Sequence, residues 1–232
     1  MDDITHCLTI GSRPDLLAAS LDSLSPELRA VRTLAVNDFG DAESSAVLLD
    51  RCPNGRIVGT GAPRQGQHRV IDAMYAEVTT PFIWHDEDDW AYTRHDFLDP
   101  ARHLLEVEPS LSAVCFRGIS DFTWFTEADR ARIRHEERDG VRYACLDRLH
   151  DQWHGWTFNP HLARRALWEE LGGFARFEKE RHVSRHLRAQ GKVVAFLEPG
   201  FCHHIGDQRT TMPRPPKRFA RLRDWWRGRS PG

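Results

Sequence analysis

The sequence has no apolar run approaching the roughly 20 residues a membrane-spanning helix needs. Its N-terminus carries Asp2 and Asp3 with no apolar signal block behind them. A soluble, cytoplasmic protein is the expectation. Cysteine is sparse: Cys7, Cys52, Cys115, Cys145 and Cys202 are odd in number, widely spaced and form no C-x-x-C pair. That pattern argues against a zinc ribbon or a dithiol redox motif and reads as reduced, mostly buried thiols. There is no internal repeat, and low complexity is confined to the Arg- and Pro-rich end.

What is present fits one ordinary domain with a substantial core, since 232 residues are 40% hydrophobic. The net charge of -2 hides an asymmetry. Residues 207–232 carry eight Arg and Lys against Asp207 and Asp224, a net +6 that leaves -8 for residues 1–206. The expected organisation is therefore a domain over 1–206 and a basic tail over 207–232.

Ile4 to Ile10 reads as a strand, and Gly11-Ser12-Arg13-Pro14 leads into a helix with Leu16, Leu17, Leu21 and Leu24 at helical spacing. Val31 to Val36 is a second apolar run, ended by Asn37-Asp38-Phe39-Gly40-Asp41, and Arg56 to Val58 a third. Residues 66–78 place Val70, Met74 and Val78 on one helical face before Thr79-Thr80-Pro81 and the run Phe82-Ile83-Trp84. Later strands are expected at Val114 to Phe116 and Val193 to Leu197, and helices at 162–171 and 180–190. Residues 121–147 carry no clear period. Alternating strands and helices indicate an α/β fold with a mostly parallel central sheet.

The run His85-Asp86-Glu87-Asp88-Asp89-Trp90 follows a strand's carboxyl end, the edge of an open α/β sheet where ligands bind. Four adjacent acids repel one another unless a cation neutralises them. Mg²⁺ or Mn²⁺ suits carboxylate and phosphate oxygens and uses one or two protein carboxylates beside substrate phosphates. A solvated acidic loop is the plainer alternative.

Six segments in order carry a family resemblance: Leu8 to Pro14, Val36-Asn37-Asp38, Gln67 to Ala73, Trp84 to Trp90, Gly172-Gly173-Phe174, and His204-Ile205-Gly206. Together they resemble the large family 2 of inverting nucleotide-sugar glycosyltransferases with the GT-A fold. The resemblance implies transfer of a sugar from a nucleotide-diphosphate sugar to a hydroxyl acceptor, a glycan, a lipid-linked group or another alcohol, with a divalent metal assisting. It implies that Thr9 and Arg13 in the first strand and turn, Asp38 at the second strand's end, and His68, Asp72 and Asp86 contact or shape the nucleotide site. The metal then falls to Asp88 with Asp86 or Asp89 and to His204, with His203 competing and Arg209 clamping the diphosphate. Two registers of the Asp-x-Asp motif fit, and both contain Asp88.

An inverting transfer needs a carboxylate that deprotonates the acceptor hydroxyl. The family places it shortly after Gly-Gly-Phe at a helix start. Here Phe177-Glu178-Lys179-Glu180-Arg181-His182 departs from the usual Glu-Asp pair, and spacing back from Gly191 favours Glu180 over Glu178. The segment from Trp153 to Pro160, with Asn159, combines aromatic faces with an amide and suits a donor-sugar or acceptor wall.

In the tail, Lys217 to Arg227 places Phe219, Leu222, Trp225 and Trp226 on one helical face ringed by arginines. Such a helix suits an anionic surface such as the inner face of the cell membrane, and the plainer alternative is a tail docked on its own domain or on a subunit partner. Nucleic acid is disfavoured by the acidic body and the lack of a recognisable module. A two-metal phosphoesterase or nuclease gathers acids from separated segments, unlike this contiguous run. A noncatalytic sugar-nucleotide binder is the other alternative. Nucleotidyl transfer is disfavoured because Gly11-Ser12-Arg13-Pro14 is too short and glycine-poor for the loop it needs.

Overall fold

A computed structural model describes residues 1–60 and 64–206 of the chain. The strands are β1 (Ile4–Ile10), β2 (Thr33–Asn37), β3 (Gly55–Thr60), β4 (Phe82–Glu87), β5 (Trp90–Tyr92), β6 (Leu111–Cys115), β7 (Arg134–Arg138), β8 (Val141–Cys145), β9 (His161–Arg164), β10 (Val193–Leu197) and β11 (Cys202–His204). The helices are α1 (Pro14–Asp22), α2 (Pro26–Arg29), α3 (Ala42–Arg51), α4 (Gln67–Ala76), α5 (Leu98–Val107), α6 (Glu127–Arg130), α7 (Arg165–Leu171) and α8 (Glu180–Ala189). No helix among the described residues is long and apolar enough to cross a membrane.

Nine strands form one sheet in the order β3-β2-β1-β4-β9-β6-β10-β8-β7, while β5 and β11 form a separate pair. The four strands from β3 to β4 are all parallel neighbours, as are β6 and β10. Strands β9 and β8 run against the others. The expected α/β sheet, mostly of one direction and flanked by helices, is what the chain forms.

Two large cores sandwich the sheet. One joins Leu8, Trp84 and Leu162 to Leu17, Leu21 and Leu104 of α1 and α5, and the other joins Cys7, Ile83 and Ala163 to Ile71, Met74 and Leu167 of α4 and α7. The strict alternation of faces along β1 and β4 follows from the two-residue period of a strand. Helix α1 begins on Pro14, whose ring fixes a helical φ where no N–H partner is needed. Helix α3 begins on Asp41, whose carboxylate accepts the Ser44 N–H at 3.1 Å.

Two segments differ from the sequence reading. Residues 162–171 are not one helix: His161–Arg164 forms β9, inserted antiparallel between β4 and β6, and only Arg165–Leu171 is helical. Leu162 and Ala163 are buried on opposite faces of the sheet, so the short run has no period that separates strand from helix. The segment 121–147 contains α6, with Thr126 and Asp129 in a reciprocal capping box, and a β7–β8 hairpin. The hairpin turns on Asp139-Gly140, both at positive φ, a type of turn that Asp-Gly favours.

Candidate active site

The acidic run divides because the strand continues through it. β4 extends to Glu87, so Asp86 falls on the same face as Trp84 and is buried, 1% exposed, under the sheet edge. Its carboxylate accepts the Tyr92 hydroxyl at 2.9 Å and lies 3.6 Å from His6 Nε2. Burial raises the Asp86 carboxyl above its ordinary range, with His6 and Tyr92 opposing. Glu87 points the other way, and Asp88 and Asp89 form the turn into β5.

These three acids face a cleft of 730 Å³ at the carboxyl ends of β1, β2 and β4. The charge they bring together is met from within the chain. Arg13, buried at the start of α1, places its guanidinium against both carboxylates, bonding Asp88 and donating to Asp89 Oδ2 at 2.7 Å. Such a fork is the geometry that suits paired carboxylate oxygens. Asp88 also accepts the Gly11 N–H at 2.7 Å. A Cβ on Gly11 would sit 2.9 Å from the same oxygen, so a side chain there would push the acid away.

Burial pushes the Asp88 carboxyl up, and Arg13 offsets this only in part. At Asp89 burial is outweighed by the hydrogen bond to His204 and by Arg13, which together hold that carboxyl below its ordinary range. Glu87 is pushed up to about 8 by burial and by the nearby charges of Asp89 and Glu180. Its carboxylate accepts from Gln67 Nε2 at 3.1 Å.

β11 pairs antiparallel with β5 so that His204 stands opposite Trp90. Strand alternation then decides between the two histidines: His203 is exposed, and His204 lines the cleft with Nε2 3.1 Å from Asp89 Oδ2. Across the cleft, Asp38 at the end of β2 accepts the N–H groups of Gln65 and Gly66 at 2.8 and 3.1 Å. Thr9 lines the floor and donates to the Asp86 carbonyl at 3.3 Å.

Glu180, the first residue of α8, closes the far wall with Asn159. Its carboxylate accepts the Phe158 N–H at 3.1 Å, and its side chain is open to solvent on one side. The surrounding protein raises this carboxyl above the ordinary glutamate range, against the Phe158 N–H and the Thr157 hydroxyl.

The cleft thus gathers Thr9, Arg13, Asp38, Asp88, Asp89, Asn159, Glu180 and His204 from widely separated stretches of the sequence. Four candidates lie elsewhere. Asp86 is under the sheet edge, as described. Glu178 is exposed before α8, beside Lys179. Asp72 faces the Gly-Gly-Phe segment, where it accepts the N–H groups of Phe174 and Ala175, both at 2.7 Å, and Trp168 Nε1 at 2.8 Å. His68 donates from Nδ1 to the Phe177 carbonyl at 2.8 Å and packs on Phe158, fixing the chain that leads to Glu180. Arg209 and the basic tail lie outside the described residues.

The sequence places Glu87 only within the Asp-x-Asp registers and Gln67 only within a segment near the nucleotide, and neither had a role of its own, although both line the cleft. Extending the alternation of β4 by three residues would have found Glu87. Among the described residues, no three His, Cys, Asp or Glu side chains converge as a complete metal site. Asp89 and His204 do stand together at the cleft, joined by a hydrogen bond of 3.1 Å, and so bring a carboxylate and an imidazole, both suited to a divalent ion, side by side.

No protein-family model matches the sequence, and no curated protein sequence matches it. Solved structures do match. The mannosyltransferase PcManGT from Pyrobaculum calidifontis, in complex with GDP-Man and Mn²⁺, superposes with a TM-score of 0.64 at 15% identity, over 89% of this chain and 58% of that one. TarS of S. aureus, residues 1–349, superposes with a TM-score of 0.57 at 10% identity, over 88% of this chain and 60% of that one. It is similar also in its complexes with UDP and with UDP-GlcNAc. The chain spans about three fifths of the length of these structures. Its strand order, the cleft at the strand ends and these superpositions establish that the chain has the GT-A fold of nucleotide-sugar glycosyltransferases.

Proposed function

We propose that the chain transfers a glycosyl group from a nucleoside-diphosphate sugar to a hydroxyl, with inversion and with Glu180 as the base. The observation that carries this reading is one cleft lined by Asp38, Asp88, Asp89, His204 and Glu180. Asp38 would take the nucleobase, Asp89 and His204 the diphosphate side, and Glu180 the attacking hydroxyl.

Asp38 has both oxygens on backbone N–H groups and keeps lone pairs for a donor on the base. Arg13 fixes the turn so that the Asp89 carboxylate stays ionised beside His204. Asp89 and His204 would hold a divalent ion, which would supply Lewis-acid stabilisation to the departing diphosphate. A neighbour of the same fold in complex with GDP-Man and Mn²⁺ supports a nucleotide sugar and a divalent metal as the pair of ligands. Glu180 takes the proton of the attacking hydroxyl, and its raised affinity for protons makes it a stronger base than an ordinary glutamate.

The test is a panel of UDP-, GDP- and dTDP-sugars with and without Mn²⁺, read by thermal shift and by release of nucleoside diphosphate. One donor should stabilise the protein and turn over. Glu180→Gln should lower kcat about 10²- to 10⁴-fold. The acidic limb of the wild-type pH–rate profile should lie above the ordinary glutamate range, because the base works only when ionised and activity is lost as pH falls through its raised pKa. No stabilisation by any sugar nucleotide, or full activity in Asp89→Ala and Glu180→Gln, sinks the reading.

A further inference from the structure

A second cavity of 240 Å³ lies against the far side of Glu180. It shares only Asn159 and Glu180 with the first cleft and is walled by Phe122, Trp153, Trp156 and Thr157. Its walls are built rather than incidental. Gly155 is pinned to α8 by its N–H on Ser184 Oγ at 2.8 Å, and to β6 by Ser112 Oγ on its carbonyl at 2.7 Å. The backbone of α8 comes so close that a Cβ on Gly155 would collide with the Ser184 carbonyl. The preceding residue, His154, is held at φ 59 while its carbonyl accepts the Val194 N–H at 2.8 Å.

On this rigid segment Trp153 keeps 51% of its surface exposed, a large apolar face left in water at the cavity's edge. Phe122, on another wall, stacks with Phe125 and lies under the Arg117 guanidinium at 4.4 Å. Arg117 also donates to Asn159 Oδ1 at 3.2 Å, tying this aromatic wall to the junction of the two cavities.

We propose that this second cavity is the acceptor subsite and that its occupant is a pyranose ring, the end of a glycan or a glycoside. The proposal rests on the transferase reading of the first cleft. A hydroxyl attacking the anomeric carbon must approach from the side away from the leaving diphosphate, next to the base, and the junction at Glu180 is that position. In the step, the acceptor oxygen bonds to the anomeric carbon as the carbon's bond to the diphosphate oxygen breaks. The electron pair leaves with the nucleoside diphosphate, and the hydroxyl proton passes to Glu180.

The chemistry of the walls selects the ring. A pyranose offers an apolar C–H face to Trp153 and a polar rim to Asn159, Thr157 and Glu180, with the buried Phe122 as apolar backing. The volume equals that of about eight waters, room for one pyranose ring.

Saturation-transfer NMR on the full chain tests this with methyl pyranosides of glucose, galactose, mannose and N-acetylglucosamine, while thermal shift with sugar nucleotides is recorded on the same samples. At least one pyranoside should receive saturation at its ring C–H protons. Trp153→Ala should weaken its binding about ten-fold, with Trp153→Phe recovering part of the loss. If sugar nucleotides stabilise the protein but no pyranoside binds, or Trp153→Ala binds it as well as wild type, the acceptor proposal falls and the transferase reading stands. Pyranoside binding at Trp153 in a protein that no sugar nucleotide stabilises overturns both.

Discussion

At the scale of residues, the recurrent theme is that a side chain's partners, and not its type, decide what it does. Asp86, Asp88 and Asp89 are the same residue within four positions. One is buried on Tyr92 and His6, one is locked by Gly11 and Arg13, and one stands between Arg13 and His204. Asp72 shows the same logic in another place. Its carboxylate satisfies three donors around the Gly-Gly-Phe segment, so it staples α4 to the chain that follows α7. Asp72→Ala leaves those donors without their acceptor and should cost about 3 kcal/mol. That loss lowers Tm by roughly 6–12 °C in a domain of this size. Asp72→Asn, which keeps one acceptor oxygen, should lose less. Nucleotide affinity that drops in Asp72→Ala with no change in Tm would place Asp72 in the cleft after all. The sequence pointed to the right neighbourhood here, because Asp72 and Gly-Gly-Phe do meet. It could not show that they meet each other instead of a ligand, since that depends on which face of α4 turns to the sheet.

At the scale of elements, legibility followed periodicity. β1 was readable to the residue because a stretch rich in apolar and β-branched residues ends at the Gly11 turn, β10 because it is a continuous apolar run, and α8 to within one residue because its apolar positions repeat at helical spacing. The β7–β8 hairpin was not, since the Arg134–Arg138 strand is charged and half-exposed and buries too little to show a pattern. β9 was hidden by its neighbour α7, with no breaker between them. The β5–β11 pair was unreadable as a pair, being two three-residue strands joined only by long-range contact. Yet that pair chooses the histidine: its register turns His204 toward Asp89 and His203 outward. His204→Ala should therefore weaken Mn²⁺ binding to the nucleotide-loaded protein about 10- to 100-fold, whereas His203→Ala should leave it within a factor of about two. Titration of Mn²⁺ by its electron paramagnetic resonance signal reads this directly. Equal effects of the two substitutions would mean that the β11 register does not set the site.

At the scale of the whole molecule, charge is separated along the chain. Residues 1–206 carry a net -8 and gather several acids in one cleft, while residues 207–232 carry a net +6 with Trp225 and Trp226 among the arginines. The net charge of the body opposes an anionic lipid surface, and the tail is the segment whose net charge favours one. Each Arg or Lys brought near such a surface contributes about 1 kcal/mol, and the attraction decays within a Debye length of about 10 Å at 0.1 M salt. Buried tryptophan adds an apolar component that salt does not screen. Two features of binding follow. The full chain should sediment with vesicles containing phosphatidylglycerol and not with purely zwitterionic ones, and added salt should weaken but not abolish the interaction. Deleting residues 217–232 removes six of the eight cations and both tryptophans, and should cut partition by more than about ten-fold. Partition that is unchanged by the deletion would assign the contact to the acidic body, contrary to its charge, and would remove the tail from any role at a membrane.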